Sequence, residues 1–218
     1  MQLLELTLLT NDLKATEIFY NQLIGFEIMH KSEQHISFKI GTSKLIFEIT
    51  KNDENPNYHF AFTIPENKIE DAKKWLLERT NLITAADGTT ITDFENWKAK
   101  AVYFYDSNQN ILELICRTDL QNSSDEHFSV NSILNISEAG IVADQPLEIG
   151  KEIIEKSGID FFSKGPKREE FAALGDDNGL FVISNPKRNW YPTENRAEKW
   201  KVKVKFQVAQ NEFEMEFN

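Results

Sequence analysis

Four residues in this chain have the chemistry of metal ligands and sit in strand-like surroundings. His59 lies in Tyr58-His59-Phe60-Ala61-Phe62-Thr63-Ile64, and side chains alternate across a strand, so His59, Ala61 and Thr63 share one face while Phe60, Phe62 and Ile64 take the other. The phenylalanine face is built to bury; the small, polar face suits the floor of a cleft. Three other runs each set one carboxylate among apolar residues: Glu5 in Leu3-Leu4-Glu5-Leu6-Thr7, Glu48 in Leu45-Ile46-Phe47-Glu48-Ile49, and Glu113 in Ile111-Leu112-Glu113-Leu114-Ile115. A carboxylate buried alone is costly, so each needs a partner, a metal or water. The expectation is that Glu5, Glu48, His59 and Glu113 meet, with the His59 imidazole able to serve as a metal ligand. The plainer alternative for any one glutamate is a strand residue facing solvent.

The elements that must position these residues repeat along the chain. Residues 3–9 read as a strand, and Asn11 or Asp12 caps a helix running to about Ile24, with Gly25 at its C-terminal cap. Strands over 26–31, 35–40 and 44–50 follow. After a polar connection over 51–57 the order returns: a strand at 59–64, a helix over 66–79 opened by Pro65, and strands over 82–92, 99–106 and 110–117. A third copy is expected beyond it, with a strand over 133–142, a helix over 146–156, and strands over 159–162, 170–174 and 180–184, the last two joined at Asp176-Asp177-Asn178-Gly179. Lys201-Val202-Lys203-Val204-Lys205-Phe206 alternates strictly and reads as a strand wet on one face, which either opens a partial fourth module or protects a sheet edge. The fold class is therefore α+β: repeated βαβββ modules forming a curled mixed sheet with helices on the convex face. The expected domains are 1–118 (two paired modules), a linker at 119–131, and a partial third module with an extra strand at 132–218.

Bulk properties restrict the partners. A net charge of -11 argues against nucleic acid and anionic membrane surfaces, both of which require a positive footprint. Cys116 stands alone, so no intramolecular disulfide and no cysteine-based zinc site forms. No run approaches bilayer length, and a cytoplasmic protein with a small-molecule partner is the expectation.

Three stretches carry a resemblance: Leu6 to Leu13 with Phe19-Tyr20 and Leu23-Ile24-Gly25-Phe26; His59-Phe60-Ala61-Phe62; and Phe104-Tyr105-Asp106-Ser107-Asn108-Gln109-Asn110-Ile111-Leu112-Glu113-Leu114. Together they resemble the vicinal oxygen chelate superfamily, which includes glyoxalase I, extradiol dioxygenases, fosfomycin-resistance enzymes and bleomycin-resistance proteins. The likeness covers residues 1–117 and, more loosely, 133–184.

The resemblance implies two modules curled around a divalent metal whose ligands come from the first and last strands of each: here Glu5, Glu48, His59 and Glu113. Glyoxalase-type members have histidine or glutamine at the first position, where this chain has Glu5. Three carboxylates and one imidazole favour manganese, iron or magnesium, with nickel or zinc also admissible, and argue against a dioxygenase-type iron triad. The implied activity is that of a glyoxalase-like metal-dependent enzyme, a lyase or isomerase, binding a small oxygenated substrate through two oxygens, with Glu113 or Glu48 as the base. Glu113 is the favoured candidate. Thr7, Thr63, Trp97 and Tyr103 are candidates for the substrate pocket, core packing being the alternative for the aromatics; Trp190 and Tyr191 either close over the cleft or dock the third module. Glu138 repeats the position of Glu5, but Phe181-Val182-Ile183-Ser184 has no carboxylate where Glu48 would recur, so a second complete ligand set is not expected. The rival reading is a metal-free protein that sequesters a small molecule, as bleomycin-resistance members do; a homodimer formed through the third module, or a surface serving protein contacts alone, also remain open.

Overall fold

The structure is a computed structural model that describes residues 1–50 and 54–218. Of the polar connection expected over 51–57, residues 51–53 lie outside the described residues. The first module contains β1 (Gln2–Thr10), α1 (Leu13–Glu17), a π-helical turn over Ile18–Leu23, β2 (Glu27–Lys31), β3 (His35–Ile40) and β4 (Ser43–Ile49). Asp12 caps α1, its carboxylate accepting from the amides of Lys14 and Ala15 at 2.9 Å. Gly25 takes φ 97°, which turns the chain out of the helix into β2.

The second module contains β5 (His59–Thr63), α2 (Ile69–Leu77), β6 (Leu82–Ile83), β7 (Thr92–Phe94), β8 (Ala99–Tyr105) and β9 (Ile111–Arg117). The strand expected over 82–92 is two short pieces, because Ala85-Ala86-Asp87-Gly88 turns the chain between them. The third module has β10 (Asn135–Val142), α3 (Pro146–Ser157), β11 (Lys167–Arg168), β12 (Phe171–Asp176) and β13 (Gly179–Ser184). Its strand expected over 159–162 reduces to a single bridge, Phe161 to Leu174. The chain ends in a hairpin, β14 (Val202–Val208) and β15 (Asn211–Phe217).

The mixed sheet runs β2-β3-β4-β1-β10-β5-β9-β8-β6. Within each module the first and last strands are parallel neighbours: β1 with β4, β5 with β9, β10 with β13. Between modules, first strands pair antiparallel. β5 pairs with β10, and β1 with β14, while β1 touches β10 only at Leu3 opposite Ile136. The sequence reading paired modules one and two; the structure instead sets β10 between β1 and β5, so the second module closes on the third and the first on the terminal hairpin. The repeat defines the modules, but every module offers the same kind of first strand, so the pattern does not choose which two will join. β14 is accordingly not an edge: β1 flanks it on one side and β15 on the other.

All three α-helices pack on one face of the sheet. Phe19, Tyr20, Ile69, Ala72, Leu76 and Ile153 share a core with Leu6, Leu8, Phe47, Phe60 and Phe62. Tyr20 and Phe47 meet at 5.1 Å between ring centroids, and Phe26 and Phe62 at 5.7 Å. Each fully buried phenylalanine contributes about 1.5–3 kcal/mol. On the opposite face of β5 and β9 a second cluster forms around Ala61, Tyr103, Ile115, Phe162, Val182 and Trp190, so both faces of these strands are covered.

Candidate functional site

The sheet register builds a three-donor cluster. Ala61 on β5 lies opposite Glu113 on β9 and opposite Glu138 on β10, so two glutamates flank one alanine on a shared face. His59, two residues along β5, points the same way. One ligand atom from each of His59, Glu113 and Glu138 falls within 4.8 Å of the others, and all three residues are buried. The small side chain of Ala61 leaves room between the carboxylates. Gly140 makes the approach of β10 possible: a Cβ there would meet the carbonyl oxygen of His59 at 2.4 Å.

Each donor is held. Nδ1 of His59 lies 3.1 Å from the carbonyl oxygen of Ile111, which can only accept, so in the neutral ring Nδ1 carries the proton and Nε2 keeps its lone pair. Nε2 is 3.6 Å from Oε2 of Glu113. The His59 ring packs on Trp190 at 5.1 Å. Burial lowers the imidazole pKa, opposed by the charge of Glu138 and the Ile111 hydrogen bond. Burial raises the carboxyl of Glu113 well above its ordinary range, reinforced by the charge of Glu138 and opposed by Arg117 and Tyr103. The Tyr103 hydroxyl is likewise pushed up by burial and by Glu113. Glu138 is ion-paired to the fully buried Arg117 through Nη2, and Nη1 of Arg117 donates to Oγ of Ser137 at 2.6 Å. The arginine's Nε is 3.8 Å from Asp177 and has no hydrogen-bond partner.

The cluster lines a cavity of about 440 Å³. Trp97 and Tyr103 line it, as do Phe94, Trp190 and Tyr191. Thr7 and Thr63 do not: Thr7 is on β1 opposite Ile46 and Lys203, and Thr63 is buried in the sheet with its hydroxyl unpartnered. Of the four expected ligands, His59 and Glu113 come together; Glu5 and Glu48 are elsewhere. Glu5 is opposite Lys44 and Lys205 and forms an ion pair with Lys44 at 3.0 Å; Glu48 is opposite His35 and Leu9. The physical reason is the pairing of modules, which puts β10 rather than β1 beside β5. Glu138, noted in the sequence only as the counterpart of Glu5, supplies the third donor. On β13, the remaining strand bordering the cluster, Leu180 and Val182 stand opposite Glu138 and Gly140, so that strand adds no fourth donor.

The donor chemistry fits a divalent ion: two carboxylates and an imidazole whose free nitrogen faces them, with the other ring nitrogen tied to a backbone carbonyl. Two carboxylates this close, one of them with its proton affinity raised by burial and by the charge of the other, are the arrangement a cation would relieve.

Solved structures share this architecture. A candidate dioxygenase from Bacillus subtilis superposes with a TM-score of 0.59 over 84% of this chain and 63% of its own, at 14% identity. Glyoxalase I from Zea mays gives 0.55 over 84% of this chain and 66% of its own, at 13% identity. The chain thus spans about two thirds of each, and at such identities the likeness is one of fold. No family model matches the chain. The sheet of repeated βαβββ modules and the sequence relationship together define the class: the chain belongs to the vicinal oxygen chelate superfamily. A sequence relative is the metallothiol transferase FosB of Staphylococcus haemolyticus, 32% identical over 110 residues, which cover 48% of this chain and 75% of that protein. Among the described residues no helix is long and apolar enough to cross a membrane.

Proposed function

We propose that the protein is a metal-dependent enzyme acting on a small oxygenated molecule, with His59, Glu113 and Glu138 as the ligands. The observation that carries this reading is the convergence of three buried donors from β5, β9 and β10 on the wall of one cavity. A bound divalent ion would act there as a Lewis acid on substrate oxygens. Three protein ligands leave positions for two of those oxygens, and the harder donors favour manganese, iron or magnesium over zinc or nickel. The chain's own residues have distinct tasks. The Ile111 carbonyl fixes the His59 tautomer, Arg117 holds Glu138, and the aromatic walls exclude water from the donors. Glu113, displaced from the ion, would be the group placed to take a proton from the substrate. Reaction classes to assay are isomerase and lyase chemistry, and thiol transfer in view of the FosB relative.

A second reading, metal-free sequestration of a small molecule, is favoured by one feature: the Arg117 guanidinium already neutralises Glu138. Chelated protein reloaded in turn with manganese, iron, magnesium, nickel and zinc separates the two. The enzyme reading expects turnover restored by one of these ions and abolished by His59→Ala; turnover retained by that variant in chelator would refute it.

A further inference from the structure

The cavity has two unlike walls. The wall from the second module is aromatic, with Phe94 and Trp97 beside Tyr103; the opposite wall has Phe171, Trp190 and Tyr191 and in addition carries Lys164, Arg168 and Arg188. Three cations at one mouth stand out on a chain of net charge -11. Their engagement differs. Lys164 is committed to Asp177 at 2.6 Å and Asp119 at 3.0 Å. Arg188 has one exposed pair with Glu170 at 3.6 Å, which is readily exchanged for a better acceptor, and its guanidinium lies 5.0 Å over the ring of Phe171. Arg168 is opposite Phe171 on the short β11–β12 ladder, exposed, and among the described residues it has neither an ion pair nor a side-chain hydrogen bond. The Arg188 guanidinium thus stands over a cavity-lining ring whose cross-strand neighbour, Arg168, is free.

We propose that Arg168 and Arg188 form the oxyanion-recognition end of the pocket, and that the substrate is an amphiphilic anion. Its carboxylate or phosphoryl head would meet the two guanidiniums at the mouth, and its flat or apolar body would lie along Phe94 and Trp97. The inference deepens the enzyme reading above and rests on it for the oxygenated end that faces His59, Glu113 and Glu138. The fork geometry of a guanidinium matches a planar carboxylate or a phosphoryl group and offers two parallel hydrogen bonds.

The test uses chelator-treated protein, in which any preference for an anion must come from the mouth. Phenylacetate and its neutral analogue phenylacetamide are titrated against intrinsic fluorescence, which Trp97 and Trp190 report from the cavity wall. Phenylacetate is expected to bind about tenfold tighter than the amide. In Arg168→Gln/Arg188→Gln the preference should fall to within about twofold while amide binding is kept. Thermal unfolding of the variant, expected close to wild type because Arg168 is exposed and Arg188 gives up only one weak ion pair and a ring contact, certifies its fold. Phenylphosphonate in parallel assigns the preferred head group, and either order upholds the proposal. Equal binding of acid and amide, a preference surviving in the double variant, or no saturation by either probe below about 10 mM would overturn it. Failure here beside intact metal binding would remove the anionic head alone; loss of metal binding beside an intact anion preference would remove the metal reading alone.

Discussion

Replacing Arg117 by Met tests how the cluster is held. Arg117 is fully buried, and its partner Glu138 has a side chain only 4% exposed. Truncating one member of such a pair leaves an uncompensated charge, which costs about 3–5 kcal/mol. For a chain of this size each kcal/mol corresponds to about 2–4 °C in Tm, so the variant should melt about 6–20 °C below wild type in chelator. Adding Glu138→Gln removes the stranded charge, and the double variant should regain most of the loss, since well-packed neutral replacements of buried pairs are often neutral or stabilising. A divalent ion supplies the missing positive charge and binds only the folded state, so manganese should raise the Tm of Arg117→Met more than that of wild type. Urea and thermal melts of the four proteins, with and without manganese, read every arm. A loss below about 1 kcal/mol in Arg117→Met, or no recovery in the double variant, would refute the assignment of Arg117 as the counter-charge of Glu138.

Three further outcomes follow from the structure. In metal-free protein, Glu113 binds its proton more tightly when folded than unfolded, so its contribution to stability is present in acid and declines as pH rises past the ordinary carboxylate range; His59 binds its proton less tightly when folded, so stability also falls as pH drops below about 6.5. Tm profiles of wild type and Glu113→Gln should show the first decline only in wild type, and a parallel decline in both would contradict it. Gly140→Ala should cost about 1–3 kcal/mol and weaken metal binding, because its methyl would press β10 away from the His59 carbonyl; unchanged urea midpoint and metal affinity would count against that close approach. Glu5→Gln breaks a half-buried pair with Lys44 beside Lys205 and should shift stability by no more than about 1 kcal/mol, measured by the same melt.

Much of the fold was legible because its signals are local. Asp12 and Gly25 mark the ends of the first helix, Asp176-Asp177-Asn178-Gly179 marks a hairpin, and the alternation around His59 names the buried face. That His59 and Glu113 would come together was readable because a lone polar side chain in an apolar strand demands a partner. The third donor was not. Glu138 sits in Ser137-Glu138-Ala139-Gly140, within a module whose last strand has no carboxylate, and the sequence repeat does not state that β10 will lie against β5. Gly140 was a signal in retrospect, since a strand glycine often marks a close backbone approach. Arg117 was missed for a related reason: at the end of β9 it reads as a solvated strand terminus, and only the arrival of Ser137 and Glu138 buries it. Glu5 and Glu48 have the right residue types on the right strands, but β14 brings Lys203 and Lys205 to β1, and the charge beside Glu5 is satisfied by lysine.

The most direct test of a centre built by the second and third modules is elemental mass spectrometry of protein purified without affinity-tag metal and reconstituted with manganese. Wild type, Glu138→Gln and Glu48→Gln are compared. The structure predicts near-stoichiometric metal in wild type and Glu48→Gln and its loss in Glu138→Gln; metal kept by Glu138→Gln and lost by Glu48→Gln would contradict the site.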